Sequence, residues 1–153
     1  MSVAFRRESD EEHLEPKFER PIVPGPNLVT PRGLRLIAAR IAELEAAVAA
    51  VDDEARDALR RELRYWHTRQ TTAVLAPAPP VGEAGIGSRV TIRLNGAVRD
   101  VEIVGSDEAD PATGRVGFQA PLARALIGAG VGELLPFAGR EDAIEVVAIA
   151  SAR

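Results

Sequence analysis

The stretch at residues 30–74, TPRGLRLIAARIAELEAAVAAVDDEARDALRRELRYWHTRQTTAV, decides the fold because it carries two successive helical patterns. Thr30 is a good N-cap, and Pro31 suits the first helical position, where its missing N–H costs nothing. Apolar residues then recur at alternating three- and four-residue steps, the spacing of a coiled-coil seam. They are Leu34, Ile37, Ile41, Leu44, Val48 and Val51. We therefore expect a helix that begins at Pro31 and ends near Val51.

A second helical pattern follows the acidic residues Asp52, Asp53 and Glu54. Asp52 or Asp53 can serve as its N-cap, and acidic residues in a first turn favour the helix dipole. Its apolar residues are Ala55, Leu59, Leu63, Trp66 and Ala73. Two helices with a short connection pack as an antiparallel hairpin, so the sequence predicts a helical arm over residues 30–76.

Composition limits the rest of the chain. Its 153 residues allow a small domain plus an appendage. With no cysteine and two distant histidines, neither a disulfide framework nor a histidine-rich metal site is expected. A net charge of −4 disfavours nucleic acid as a direct main partner. The charged N-terminus and the lack of a long apolar run favour a cytoplasmic protein without membrane contact, which we expect to be a monomer.

Proline and glycine divide the chain into segments. Residues 1–29 combine charges and prolines without periodicity, which predicts a flexible leader. Residues 77–87 contain Pro77, Pro79 and Pro80 and read as a stiff linker that excludes further helix. The remaining residues, 88–150, are predicted to form a compact β-rich domain.

The predicted β domain centres on Asn95-Gly96, the strongest short hairpin signal, between alternating strands at residues 89–94 and 97–104. An acidic loop follows at 105–114. Further strands are expected at 115–119, 132–137 and 143–149, with a short helix at 121–127 and a turn at Gly139-Arg140. The fold class is therefore α+β, with a helical hairpin followed by a small antiparallel sheet that carries one short helix.

Arginines cluster on the second predicted helix. A solvated helix face and a recognition surface are both compatible with this pattern. The residues are Arg56, Arg60, Arg61, Arg64 and Arg69.

Several runs of residues resemble the bacterial GreA/GreB transcription elongation factors. Thr30 to Leu34 is similar to the opening of that family's first helix, and Ile103 to Asp110 to its hairpin exit and acidic loop. Ala120 to Gly128, followed by Val131-Gly132-Glu133, resembles its helix and the strand after it. The leader segment Ala4 to Asp10 is similar to an extension found on some GreB-like members.

This resemblance implies an FKBP-like C-terminal domain that binds RNA polymerase near its secondary channel, so that contact with nucleic acid is indirect. The residues implied in binding are Gln119, Ala120, Pro121, Leu122 and Arg124. In family members that stimulate transcript cleavage, acidic residues at the arm tip help to hold a Mg²⁺ ion in the polymerase active site. Magnesium prefers such hard oxygen ligands, and a two-metal site activates water.

The arm tip departs from the family pattern, because nothing between Ala46 and Tyr65 reproduces the acidic tip motif. One alignment places Ala58 and Arg61 where the metal-binding acids belong, and another, which we prefer, treats the distal arm as deleted. A short arm without the motif is closer to Rnk-like members. Gln119-Ala120-Pro121 also differs from the acidic or polar residue and serine that often precede the proline.

Three functions are therefore compared. The first is a non-enzymatic regulator of transcription elongation that binds RNA polymerase and needs no cofactor. The second is a cleavage-stimulating factor that uses Asp52, Asp53 or Glu54 with Mg²⁺, although helix capping and solubility are the simpler explanation of those acids. The third, a peptidyl-prolyl isomerase, rests on the FKBP-like fold alone. The C-terminal domain offers only Phe118 and Phe137 to line an aromatic pocket.

Overall fold

The computed structural model describes residues 19–153. Residues 1–18 of the predicted leader therefore lie outside the described residues. Residues 19–27 contain no helix or strand, and Leu28–Val29 forms a first short strand, β1. We call residues 19–27 the N-terminal strap, because they run from the helical arm to the C-terminal domain.

The arm consists of two helices of 20 residues each, α1 at Pro31–Ala50 and α2 at Asp53–Thr72. The predicted start at Pro31 is confirmed, since the Thr30 hydroxyl accepts a hydrogen bond from the Gly33 N–H at 3.1 Å. Asp52 caps α2 by accepting from the Ala55 N–H at 3.0 Å. At ~1.5 Å per residue, each helix is about 30 Å long.

The helices pack through an apolar cluster at the base of the arm. Tyr65 and Trp66 meet edge to face, with ring centroids 5.2 Å apart, as expected for an arm-base core. The buried members are Val29, Ile37, Ile41, Leu44, Tyr65 and Trp66. The prediction that Leu34 belongs to the seam is wrong. Its side chain is 39% exposed, because Gly33 is the residue that faces the C-terminal domain at this turn.

A two-stranded parallel sheet closes the base of the arm. Strand β2, Val74–Leu75, pairs with β1 in the register Leu28–Val74 and Val29–Leu75. Both strands have two residues, too few for a pattern in the sequence to reveal them. The sheet fixes the chain before α1 beside the chain after α2.

The C-terminal domain is a five-stranded sheet in the order β5-β4-β3-β7-β6. The predicted hairpin is confirmed, with β3 at Ser88–Leu94 and β4 at Ala97–Val104. Asn95 and Gly96 have φ values of 53° and 77°, as the tight connection requires. The other strands are β5 at Arg115–Gly117, β6 at Leu134–Phe137 and β7 at Arg140–Ser151.

The sheet is mixed rather than purely antiparallel, which corrects the sequence prediction. Strands β4 and β5 run parallel, whereas every other neighbouring pair is antiparallel. The chain between them makes two single-turn 3₁₀ helices, at Ser106–Glu108 and Pro111–Thr113. This connection lets the chain return in the same direction, which a tight hairpin cannot do.

A short helix, α3 at Pro121–Leu126, covers one face of the sheet, as predicted. Its Ala123 and Leu126 side chains are buried with Val90, Ile92 and Ile103 from the central strands. The predicted turn at Gly139-Arg140 lies one residue earlier. Ala138 and Gly139 turn with positive φ, and Arg140 already pairs with Phe137 at the start of β7.

The linker at 77–87 contains no helix, in agreement with its prolines. Its second half packs on the β domain, because Ala84 is buried and Glu83 forms a bridge with Gly130. Among residues 19–153, neither long helix has the continuous apolar length that crossing a membrane requires.

Candidate functional site

The arm tip is closed by polar contacts from both helices. Arg56 donates to the carbonyl oxygens of Val48 and Val51 at 3.2 and 2.8 Å. It also donates to the Asp53 carboxylate at 2.9 Å. These contacts satisfy carbonyl groups at the end of α1 that have no partner within the helix. Arg56, grouped with the solvated arginines by its sequence position, is thus a structural residue of the tip.

The acidic residues of the tip do not converge on one point. Asp52 is engaged as the cap of α2, and Asp53 contacts Arg56. Over residues 19–153, no three His, Asp or Glu side chains come close enough to share a metal ion. Within the described residues, the tip thus carries separate carboxylates and not a preformed set of three ligands.

A buried ion pair joins the arm to the C-terminal domain. Arg69 Nε donates to Asp107 Oδ2 at 2.6 Å, and both side chains are about 5% exposed or less. Arg69 also donates to Asn27 Oδ1 at 2.7 Å, and Asn27 Nδ2 donates to the Arg69 carbonyl at 2.8 Å. Buried charges are tolerated when they are paired and hydrogen-bonded in this way.

Tyr65 completes this junction network, which consists of Asn27, Tyr65, Arg69 and Asp107. Its hydroxyl donates to Asp107 Oδ1. Burial, and then the hydrogen bond to the Asp107 carboxylate, raise the pKa of Tyr65 to about 12. Loss of the phenol proton would place a negative charge beside that of Asp107 in a poorly solvated site, so the network keeps Tyr65 protonated.

Glu108 makes a second contact with the arm, at the start of α1. Its carboxylate accepts from the Thr30 hydroxyl at 2.6 Å and from the Gly105 N–H at 3.1 Å. Arg32 lies 3.5 Å away on the exposed side. A Cβ on Gly33 would lie 2.4 Å from Glu108 Oε2, so glycine is the residue that admits this carboxylate.

Sequence reasoning missed the roles of Asn27, Arg69, Asp107 and Glu108. The sequence groups Arg69 with four other arginines of α2, yet the structure buries it, with 3% of its surface exposed. A signal was present, because Arg69 lies four residues after Tyr65 and three after Trp66, on the helix face that carries the apolar side chains. The partners of Arg69 are distant in sequence and give no comparable signal.

The N-terminal strap crosses the aromatic pair at the arm base. The Arg20 guanidinium lies 3.9 Å from the centroid of the Tyr65 ring and also pairs with Glu62 at 3.1 Å. Glu19 pairs with Arg64 at 2.5 Å. This hydrogen bond lowers the pKa of Glu19 and raises that of Arg64. The strap is therefore tied to α2 by alternating charges.

The predicted docking residues lie together at the start of α3. Ala120 is the N-cap position and Pro121 the first helical residue. Pro121 and Arg124 are exposed, whereas Gln119, Ala120 and Leu122 are half-buried. Arg124 lies in the last turn, where a cation suits the helix dipole.

The strap reaches the same surface. Gln119 Nε2 donates to the Pro24 carbonyl at 3.2 Å, which joins the predicted docking residues to the strap. An open groove of about 530 Å³ runs between them, and the strap supplies half of its walls. The groove is lined by Val23, Pro24, Pro26, Phe118, Gln119 and Arg124.

Comparison with known proteins agrees with this architecture. Residues 79–151 match the model of the family "Transcription elongation factor, GreA/GreB, C-term". GreA of Roseiflexus castenholzii is 34% identical over 112 residues, which cover 66% of this chain and 71% of that protein. GreA of Thermomicrobium roseum is 43% identical over 51 residues, a third of the length of each protein. The chain belongs to the GreA/GreB family of transcription elongation factors.

Solved structures of the same type align over most of the chain. The GreA factor homolog Gfh1 of Thermus thermophilus is 20% identical, with 83% of this chain and 100% of that chain covered and a TM-score of 0.40. A GreA/GreB elongation factor from Nitrosomonas europaea is 17% identical and covers 82% of this chain and 98% of its own, also with a TM-score of 0.40.

Proposed function

We propose that the protein regulates transcription elongation by binding RNA polymerase through its C-terminal domain, without supplying a catalytic tip. Family membership supports the partner. The arm tip distinguishes a regulator from a cleavage factor in this proposal, because Asp52 caps α2 and Asp53 contacts Arg56. The protein itself is not an enzyme in this proposal, and it needs no cofactor of its own.

The surface around α3 is the proposed contact with the polymerase. Exposed Pro121 and Arg124 stand beside half-buried Leu122, so the surface combines one cation with apolar area. Such a combination is typical of protein interfaces, in which arginine is enriched. The adjacent strap residues Val23 and Pro24 extend the same surface.

The docking proposal is tested by competition. The full chain should bind core RNA polymerase and displace a cleavage-stimulating Gre factor from it. Arg124→Glu should weaken binding by about tenfold or more, since it reverses a charge at the interface. Arg99→Glu is the matched control, because Arg99 is an exposed arginine on β4, away from α3. Failure of the wild-type chain to bind would refute the proposal.

The absence of cleavage stimulation is tested on a stalled, backtracked transcription complex with Mg²⁺. We expect no release of short 3′ RNA fragments when the protein is added. Release that disappears in the variant Asp53→Asn with Glu54→Gln would instead assign the tip a direct role, as in the cleavage factors. This variant keeps the Asp52 cap, so loss of activity could not be attributed to a broken helix start.

A further inference from the structure

A small cavity lies where the start of α1 meets the β domain. Its volume is about 160 Å³, and its walls include Thr30, Arg32, Arg35, Gly87, Glu102 and Arg153. We call it the junction pocket. It lies on residues that neither the docking surface nor the arm tip uses. A cavity of this volume has room for a phosphate group.

The junction pocket has more cationic than anionic side chains in its walls. Three arginines line it, and its carboxylate, Glu102, is already paired with Arg89 at 3.2 Å and with Arg115 at 3.3 Å. Arg32 shares the buried Glu108. Among the residues that line the pocket, three arginines therefore face one carboxylate in a chain whose net charge is −4. Such a local reversal of sign concentrates anions at the site.

Two of the lining arginines form no ion pair with any of residues 19–153, so their charges are available to a ligand. Arg35 is exposed and makes no ion pair with any of residues 19–153. Arg153 donates to a neutral acceptor, the Ala76 carbonyl, at 2.6 Å, so its charge is not cancelled by that contact. Guanidinium groups bind phosphate oxygens through paired N–H donors, which is the geometry that favours arginine over lysine.

The position of Arg153 is built into the fold. Gly87 has a φ of +92°, and a Cβ at this position would lie 2.7 Å from the Cγ of Arg153. The Ala152 N–H also donates to the Gly87 carbonyl at 2.8 Å. Glycine therefore lets the Arg153 side chain lie across the backbone of the linker and enter the pocket wall.

From the three arginines and the pocket size, we propose that the junction pocket binds a phosphate group, presented either as a free inorganic or nucleoside phosphate or as the terminal phosphate of an RNA. Arg32, Arg35 and Arg153 supply the donors. The remainder of a larger ligand projects into solvent. The site touches the first turn of α1 and the linker together, so that an occupant would bridge the arm and the β domain.

The proposal is tested by calorimetric titration of the full chain with pyrophosphate at low and physiological salt. Arg35→Gln and Arg153→Gln should each weaken binding on the order of tenfold, the effect of losing a hydrogen bond to a charged group. Arg60 is an exposed arginine near the arm tip, where it lies 4.0 Å from Asp57. The control variant Arg60→Gln should leave binding unchanged. No binding by the wild type, or equal binding by all variants, would overturn the proposal.

The source of the phosphate is then distinguished with two further ligands. A nucleoside triphosphate that binds like pyrophosphate indicates a free ligand. A short RNA that binds with a 5′-phosphate and fails with a 5′-hydroxyl indicates an RNA terminus. If both RNAs bind equally, backbone contacts explain the result and the pocket assignment is wrong. None of these measurements involves the polymerase, so their outcome is independent of the proposed docking.

Discussion

At the scale of single residues, two adjacent acids connect the halves of the molecule. Asp107 accepts from Tyr65 and Arg69 on α2, whereas Glu108 accepts from Thr30 at the start of α1. Each helix of the arm is thus held by one carboxylate of the same 3₁₀ turn. Because buried charged groups are costly without partners, these contacts favour one orientation of the arm base over its alternatives.

Gly33→Ala tests the Glu108 contact. In an exposed helix this change would stabilise by about 1 kcal/mol through helix propensity. Here the added Cβ would lie 2.4 Å from the Glu108 carboxylate, so we expect a net loss of about 1–3 kcal/mol in the free energy of unfolding. Urea unfolding followed by Trp66 fluorescence measures it. Ala39→Gly, on the exposed face of α1, should cost about 1 kcal/mol and serves as the propensity control. A stabilising Gly33→Ala would contradict the contact.

Tyr65 should make stability fall at alkaline pH. Its pKa is raised from 10.0 to about 12 in the folded state, so the folded chain holds its proton more tightly than the unfolded chain. This contribution is fully present below pH 10 and is lost as pH rises toward 12. Comparing wild type with Tyr65→Phe across this range isolates it, since Tyr65 is the single tyrosine of the chain. Parallel pH profiles for the two proteins would show that the phenol is not perturbed.

At the scale of elements, the N-terminal strap is a structural part of the arm base. It contributes ion pairs to α2, a cation over the Tyr65 ring and a hydrogen bond to Gln119. Strand β1 then continues it into the parallel pair with β2. The N-terminal strap therefore stabilises the arm base, although the strap itself contains no helix or strand.

Arg20→Ala measures the strength of this brace. Loss of the cation–π contact and the pair with Glu62 should lower the free energy of unfolding by about 1 kcal/mol. The Trp66 emission should also change, because the Arg20 guanidinium lies 5.5 Å from the Trp66 ring. Arg60→Ala, which removes an exposed arginine from α2, is the control. Identical behaviour of the two variants would mean that the strap does not brace the arm.

At the scale of the whole molecule, the junction network couples the stability of the arm to that of the β domain. Each part has its own buried apolar cluster, and the main polar link between them is the Arg69–Asp107 pair with its neighbours. Without that link, an arm of two 20-residue helices would depend on a small core of its own.

Arg69→Gln should therefore uncouple the two parts. The change leaves Asp107 buried without a cation, which costs about 3–5 kcal/mol. Hydrogen exchange should speed up at Tyr65 and Trp66 in α2 while Ile92 in β3 remains protected. Adding Asp107→Asn should restore part of the loss, because no charge is then left unpaired. Equal acceleration in both regions would show that they unfold as one unit regardless of the pair.

The sequence predicted an element correctly where its formation depends on residues that are close along the chain. Thr30 and Asp52 cap the arm helices, and Asn95-Gly96 turns the hairpin, because each acts within a few residues of its own position. The parallel pairing of β5 was missed, since a three-residue strand has no periodicity of its own. The placement of Leu34 was wrong for a related reason. The helix pattern alone does not show which neighbour will cover its first turn.

The sequence by itself determined the helical hairpin, its caps, the β-rich domain and, through ordered runs of residues, the resemblance to the Gre factors. Only the tertiary structure decided that Arg69 is buried, that Asp107 and Glu108 hold the arm, and that the strap reaches Gln119. The physical reason is separation along the chain. These partners lie 38 to 95 residues apart, so each is chosen by the packing of the whole molecule and not by local conformation.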